Sequence, residues 1–95
     1  MGKREEYIDR LATQLKEWSA KIDELQSKIE VVQADQKIKL KEEVESLKRK
    51  KDEANNKLHE VKSSTENAWE SLKGGIDKAW EDLKEGVHSA LEKFK

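Results

Sequence analysis

Glu85 and His88 stand three residues apart, a spacing that puts two metal ligands on one helical face, as in di-iron carboxylate bundles. Such a centre needs two Glu-x-x-His motifs and two further glutamates in an apolar core. His59 has Asn56 where a second motif would want Glu, so the second copy would have to come from another chain. The pair therefore reads as a solvated Glu and His, and neither a metal site nor a cofactor is expected. Carboxylates are plentiful, yet acid or base catalysis asks for a pocket that shifts a pKa. Neither a glycine-rich phosphate loop nor a nucleophile elbow is present. With no cysteine, thiolate nucleophiles, disulfides and Cys-based zinc sites are excluded. No catalytic residue is assigned, and the chain is not expected to be an enzyme.

The one dense basic run, Lys48-Arg49-Lys50-Lys51, has the type of side chain that binds nucleic acid or anionic lipid. Glu42, Glu43, Glu45, Asp52 and Glu53 lie close enough to offset it, and the formal net charge is −1. A solvated helical face is the expectation there, and nucleic acid is not an expected partner. Trp18, Trp69 and Trp80 fall on apolar stripes, where large aromatics anchor helix packing. The alternative for residues 67–95 is a membrane-interface helix, with Trp69, Trp80 and Phe94 on one face and Lys73, Lys78, Lys84 and Lys93 reaching headgroups. Six acids in that segment oppose attraction to anionic lipid.

The elements that must position these residues are helices. Only 34% of the 95 residues are hydrophobic and 43% are charged, against about 45–50% and about 25% in ordinary globular chains. Proline is absent, and the apolar residues are periodic rather than scattered, so thin helical packing is expected instead of a thick core or disorder. From Tyr7 they run through Leu11, Leu15, Trp18, Ile22, Leu25 and Ile29 to Val32 in steps of four and three, one stripe along a helix. Beyond Val32 the stripe passes through Gln36 and resumes at Leu40, Val44, Leu47, Ala54, Leu58 and Val61, with Lys51 interrupting it. The four-residue step from Gln36 to Leu40 reads as a stutter within one helix, because no Gly or Pro marks a turn. Asp35 as the cap of a second helix is the other option.

Ser63-Ser64-Thr65-Glu66-Asn67 gathers capping side chains ahead of a new apolar run, with Asn67 and Glu70 spaced as in a capping box. The block Ala68-Trp69-Glu70-Ser71-Leu72-Lys73 returns eleven residues later as Ala79-Trp80-Glu81-Asp82-Leu83-Lys84. Eleven residues make three turns, which keeps Trp69, Leu72, Ile76, Trp80, Leu83, Val87, Leu91 and Phe94 on one face. Gly74, Gly75 and Gly86 each disfavour that helix by about 1 kcal/mol relative to Ala, and read either as tolerated glycines or as points of flexibility or close backbone approach. Residues 36–62 carry nine cations and six anions, whereas both flanking segments are acidic, which favours antiparallel contacts.

The opening Met1-Gly2-Lys3-Arg4-Glu5-Glu6-Tyr7 has no apolar signal core, and no stretch approaches the ~18 apolar residues of a membrane span. Gly2 would suit myristoylation, but Glu6 stands where that signal wants Ser or Thr. A cytoplasmic location is expected.

Lys3-Arg4-Glu5-Glu6-Tyr7-Ile8, Leu15-Lys16-Glu17-Trp18, Ile22-Asp23-Glu24-Leu25 and the paired Ala-Trp-Glu blocks at 68–70 and 79–81 together resemble a family of small bacterial coiled-coil stress-response proteins. The resemblance spans nearly the whole chain. It implies a bacterial, cytoplasmic protein of unestablished mechanism and brings no catalytic residues. The eleven-residue period is also similar to late-embryogenesis-abundant and exchangeable apolipoprotein helices.

The expected architecture is all-α, one coiled-coil domain over 1–95 with a helix over about 3–62, a turn at about 63–66 and a helix over about 67–94. These pack as an antiparallel hairpin or bundle completed by homo-oligomerisation, because the stripes exceed what one hairpin conceals. A three-helix bundle with an extra turn near 33–36 is the alternative. Leu15, Trp18, Ile22, Leu25, Ile29, Trp69, Leu72, Ile76, Trp80 and Leu83 are the expected packing and interface residues. The expected function is non-enzymatic and stress-associated, through self-assembly or partner binding. The alternative is protective binding of lipid or protein clients by the 67–95 face.

Overall fold

A computed structural model describes residues 2–94, which form three helices, α1 (Lys3–Lys28), α2 (Ala34–Lys62) and α3 (Ala68–Lys93). Among the described residues there is no strand. The helices run up, down and up into a three-helix bundle of 51 × 19 × 18 Å. Its long dimension exceeds the ~40 Å of a 26-residue helix by little more than the turns that cap it.

The single helix expected over 3–62 is therefore two. α1 stops at Lys28, and Val31 and Val32 both donate their backbone N–H to the Lys28 carbonyl, at 3.0 Å each. Gln33 is extended (φ −66°, ψ 154°), and its carbonyl accepts from Gln36 and Lys37 to open α2. Asp35 is not the cap; it lies in the first turn, where its charge suits the helix dipole. Ile29, Val31 and Val32 are β-branched and give helix up easily, but nothing local demands a turn. The reversal is fixed by what it achieves, folding the second half of the stripe back onto the first.

The second turn, residues 63–67, divides its polar cluster by task. Ser63 and Ser64 donate hydroxyls back to carbonyls at the end of α2, His59 and Val61 among them. Thr65, not Asn67, opens α3: its Oγ1 accepts the Ala68 N–H at 3.2 Å, and its carbonyl accepts from Trp69. Asn67 is already helical and makes no side-chain cap.

Each helix turns its stripe inward. Tyr7, Leu11, Leu15, Trp18, Ile22 and Leu25 of α1 meet Leu40, Val44, Leu47, Ala54, Leu58 and Val61 of α2, and Trp69, Ile76, Trp80, Leu83, Val87 and Ala90 of α3. Among the described residues no polar or charged residue is buried, so burial of apolar surface supplies the main driving force. Lys51, the charge that interrupts the α2 stripe, is half-buried. No helix is long and apolar enough to cross a membrane among the described residues.

Candidate interaction surface

The ten expected packing residues share one core. Leu15, Trp18, Ile22, Leu25, Trp69, Ile76, Trp80 and Leu83 are buried, and Leu72 and Ile29 are half-buried against them, Ile29 from the turn beyond α1. The bundle thus covers within one chain the stripes whose excess suggested homo-oligomerisation. It also covers the apolar face of 67–95, which is turned inward and is not displayed to lipid.

Glu85 and His88 are both exposed, and no cluster of three or more metal-binding side chains occurs among the described residues. The basic run 48–51 disperses, because successive helical residues point about 100° apart. Arg49 and Lys50 are exposed while Lys48 and Lys51 are half-buried, and Lys50 leans toward α3 beside Gly86.

What the fold does assemble is an aromatic seam between the parallel helices α1 and α3. Tyr7 and Trp18 are eleven residues apart on α1, and Trp69 and Trp80 are eleven apart on α3. Equal spacing of about 16 Å on two parallel helices brings them into register twice. Tyr7 meets Trp69 with ring centroids 5.6 Å apart, and Trp18 meets Trp80 at 6.4 Å, both tilted, an arrangement that aromatic quadrupoles favour. The Lys73 ammonium sits 5.4 Å from the Tyr7 centroid and 5.8 Å from that of Trp69, and the Arg10 guanidinium 5.5 Å from Tyr7. Two open grooves follow the seam, one beside Tyr7 and Trp69, the other beside Trp18 and Trp80.

Polar ties cross the seam at its ends. The Tyr7 hydroxyl donates to the Asp77 carboxylate and lies 3.4 Å from the Lys73 carbonyl, and the Lys28 ammonium donates to the Phe94 carbonyl at 3.2 Å. Arg4 donates to the Ser64 carbonyl and pins α1 to the second turn. Among the described residues two buried side-chain polar atoms are left without a hydrogen-bond partner, Nε of Arg4 and the indole N–H of Trp80. The 11-residue repeat was visible on α3, but its match to Tyr7 and Trp18 was not, since nothing in the sequence announced that α1 and α3 run parallel.

Burial, reinforced by the Asp77 carboxylate, raises the Tyr7 phenol well above its ordinary value of 10. The folded chain therefore holds this proton more tightly than the unfolded chain. The stabilisation is fully present below pH ~10 and is lost as the pH rises through the folded value. Tyr7→Phe is expected to lower stability by about 1 kcal/mol at neutral pH and to flatten part of the alkaline decline. Urea melts of both proteins at neutral and alkaline pH check this; an identical alkaline decline would show that Tyr7 does not contribute.

Compared with known proteins, the chain matches no family model, no curated protein and no solved structure.

Proposed function

We propose that this chain is a non-enzymatic, stress-associated interaction protein, cytoplasmic and bacterial, that works by presenting helical surfaces to partners. The observation that carries this is the disposition of polarity. Apolar side chains converge on one interior without a buried polar residue among those described, and the charged groups are outside, so surface recognition is the chemistry the fold offers. Self-association belongs to the same proposal, but through the outer faces, because the stripes are already packed. Val31 and Ile38, 80% and 68% exposed at the first turn and the start of α2, are the large apolar side chains such contacts would cover first.

Sedimentation equilibrium over a concentration series, with far-ultraviolet circular dichroism in parallel, tests it. A helical species whose mass rises with concentration supports self-assembly; a helical monomer throughout directs the function to a different molecule. A chain that is largely unfolded alone would remove the basis for the proposal. The second reading, lipid or client binding by the 67–95 face, draws its support from the seam, since α3 reaches a partner only where the bundle can part.

A further inference from the structure

We infer that the α1–α3 seam is a latent binding surface for a lipid interface, exposed when α1 and α3 part while each stays packed on α2. This rests on the second functional reading and deepens it, because α1 supplies half of the surface.

Topology singles out the seam. The turns at 29–33 and 63–67 join α1 to α2 and α2 to α3, whereas no turn joins α1 to α3, so theirs is the interface that can open without straining a turn, once the Tyr7 and Lys28 hydrogen bonds across it are released. Their parallel course also sets like ends of two helix dipoles side by side. Open grooves already run along it.

Composition then names the ligand. Four of the chain's five aromatic residues, Tyr7, Trp18, Trp69 and Trp80, lie on this seam, and none of the four is Phe. Tyr and Trp are the side chains that settle at a bilayer interface, with ring in the acyl boundary and polar edge among headgroups. The Trp80 N–H, unpartnered in the closed bundle, would find lipid carbonyls or water there. Lys3, Arg10, Lys73 and Lys84 border the grooves and can carry their charges up to the headgroups. Glu6, Asp77 and Glu81 border them too, so the rim is nearly neutral and insertion of aromatics, not attraction to anionic lipid, drives binding.

The chain has no cysteine, so Gln14→Cys and Glu81→Cys, on opposite walls of one groove and outside the Tyr7–Asp77 tie, can be joined by a bismaleimide with a reducible spacer. Flotation with small phosphatidylcholine vesicles, and quenching of tryptophan by brominated acyl chains, are read on the native chain and on the double variant before joining, after joining and after reduction. Binding and quenching are expected in the native and unjoined proteins, to be lost on joining and restored by reduction, with little gain when phosphatidylglycerol is added. Equal binding by the joined protein overturns the opening of the seam. Binding that needs phosphatidylglycerol shows a surface-charge effect and overturns it as well. Capture of a destabilised client protein without binding to vesicles assigns the seam to proteins and overturns the lipid proposal. Circular dichroism separates the two proposals: a folded helical chain that ignores vesicles sinks this one and leaves the interaction reading standing.

Discussion

Trp80→Ala is expected to lower the unfolding free energy by about 3–5 kcal/mol, the range for removing a large buried aromatic. A chain of 95 residues has about 5–14 kcal/mol in all, so the variant would keep only part of its stability. Trp80 is 4% exposed, packs on Trp18 across the seam, and sits midway along α3, where a cavity cannot be filled by fraying of an end. Trp80→Phe should behave differently. It keeps a ring in the core and removes the indole N–H, whose burial without a partner itself costs about 1–3 kcal/mol. The smaller ring and the relieved polar group oppose each other, and the net loss should stay below about 1.5 kcal/mol. Urea melts of the three proteins decide it. A Phe variant as unstable as the Ala variant would mean that the N–H is satisfied in solution and that the packing depends on the full indole.

Glycine substitutions in α3 are expected to change stability in opposite directions by position. A methyl group on Gly75 would meet nothing within 4 Å, and the backbone is helical, so Gly75→Ala should stabilise by about 1 kcal/mol through helix propensity alone. The same holds for Gly74. A Cβ on Gly86 would stand 2.9 Å from Cδ2 of Leu47, which is 1% exposed and hemmed in by the core. Alanine there needs only a shift at the tip of Leu47, but Gly86→Val adds two further methyls to a filled space. That variant should lose about 1–3 kcal/mol, as overpacked cores do. Thermal melts of the Gly75→Ala and Gly86→Val proteins check the contrast; two shifts of the same sign would show that α3 and α2 are not in close contact at Gly86. Of the two readings open for these glycines, close approach belongs to Gly86, and solvent-facing tolerance to Gly74 and Gly75.

Much of the fold was legible from local pattern. The 4-and-3 spacing from Tyr7 to Leu25, the resumption at Leu40 and the eleven-residue repeat each name the face that is buried, because a helix can hide a stripe only against another helix. The cluster at 63–67 was legible as a turn since its hydroxyls satisfy helix ends, although the task fell to Thr65 and not Asn67. The turn at 29–33 was not. It contains no Gly or Pro, and the stripe can be threaded through it as a stutter, so local energetics leave a long helix and a reversal close together.

Sequence by itself therefore determined the helical character of the chain, the faces that are buried and the all-α class, which depend on periodicity and propensity over neighbouring residues. Only the tertiary structure decided that the chain reverses at 29–33, that its stripes are covered within one molecule, and that α1 and α3 lie parallel with two aromatic pairs in register. Those outcomes depend on contacts between residues more than sixty positions apart, Tyr7 with Trp69 and Trp18 with Trp80, whose favourable energy exists only once the bundle closes.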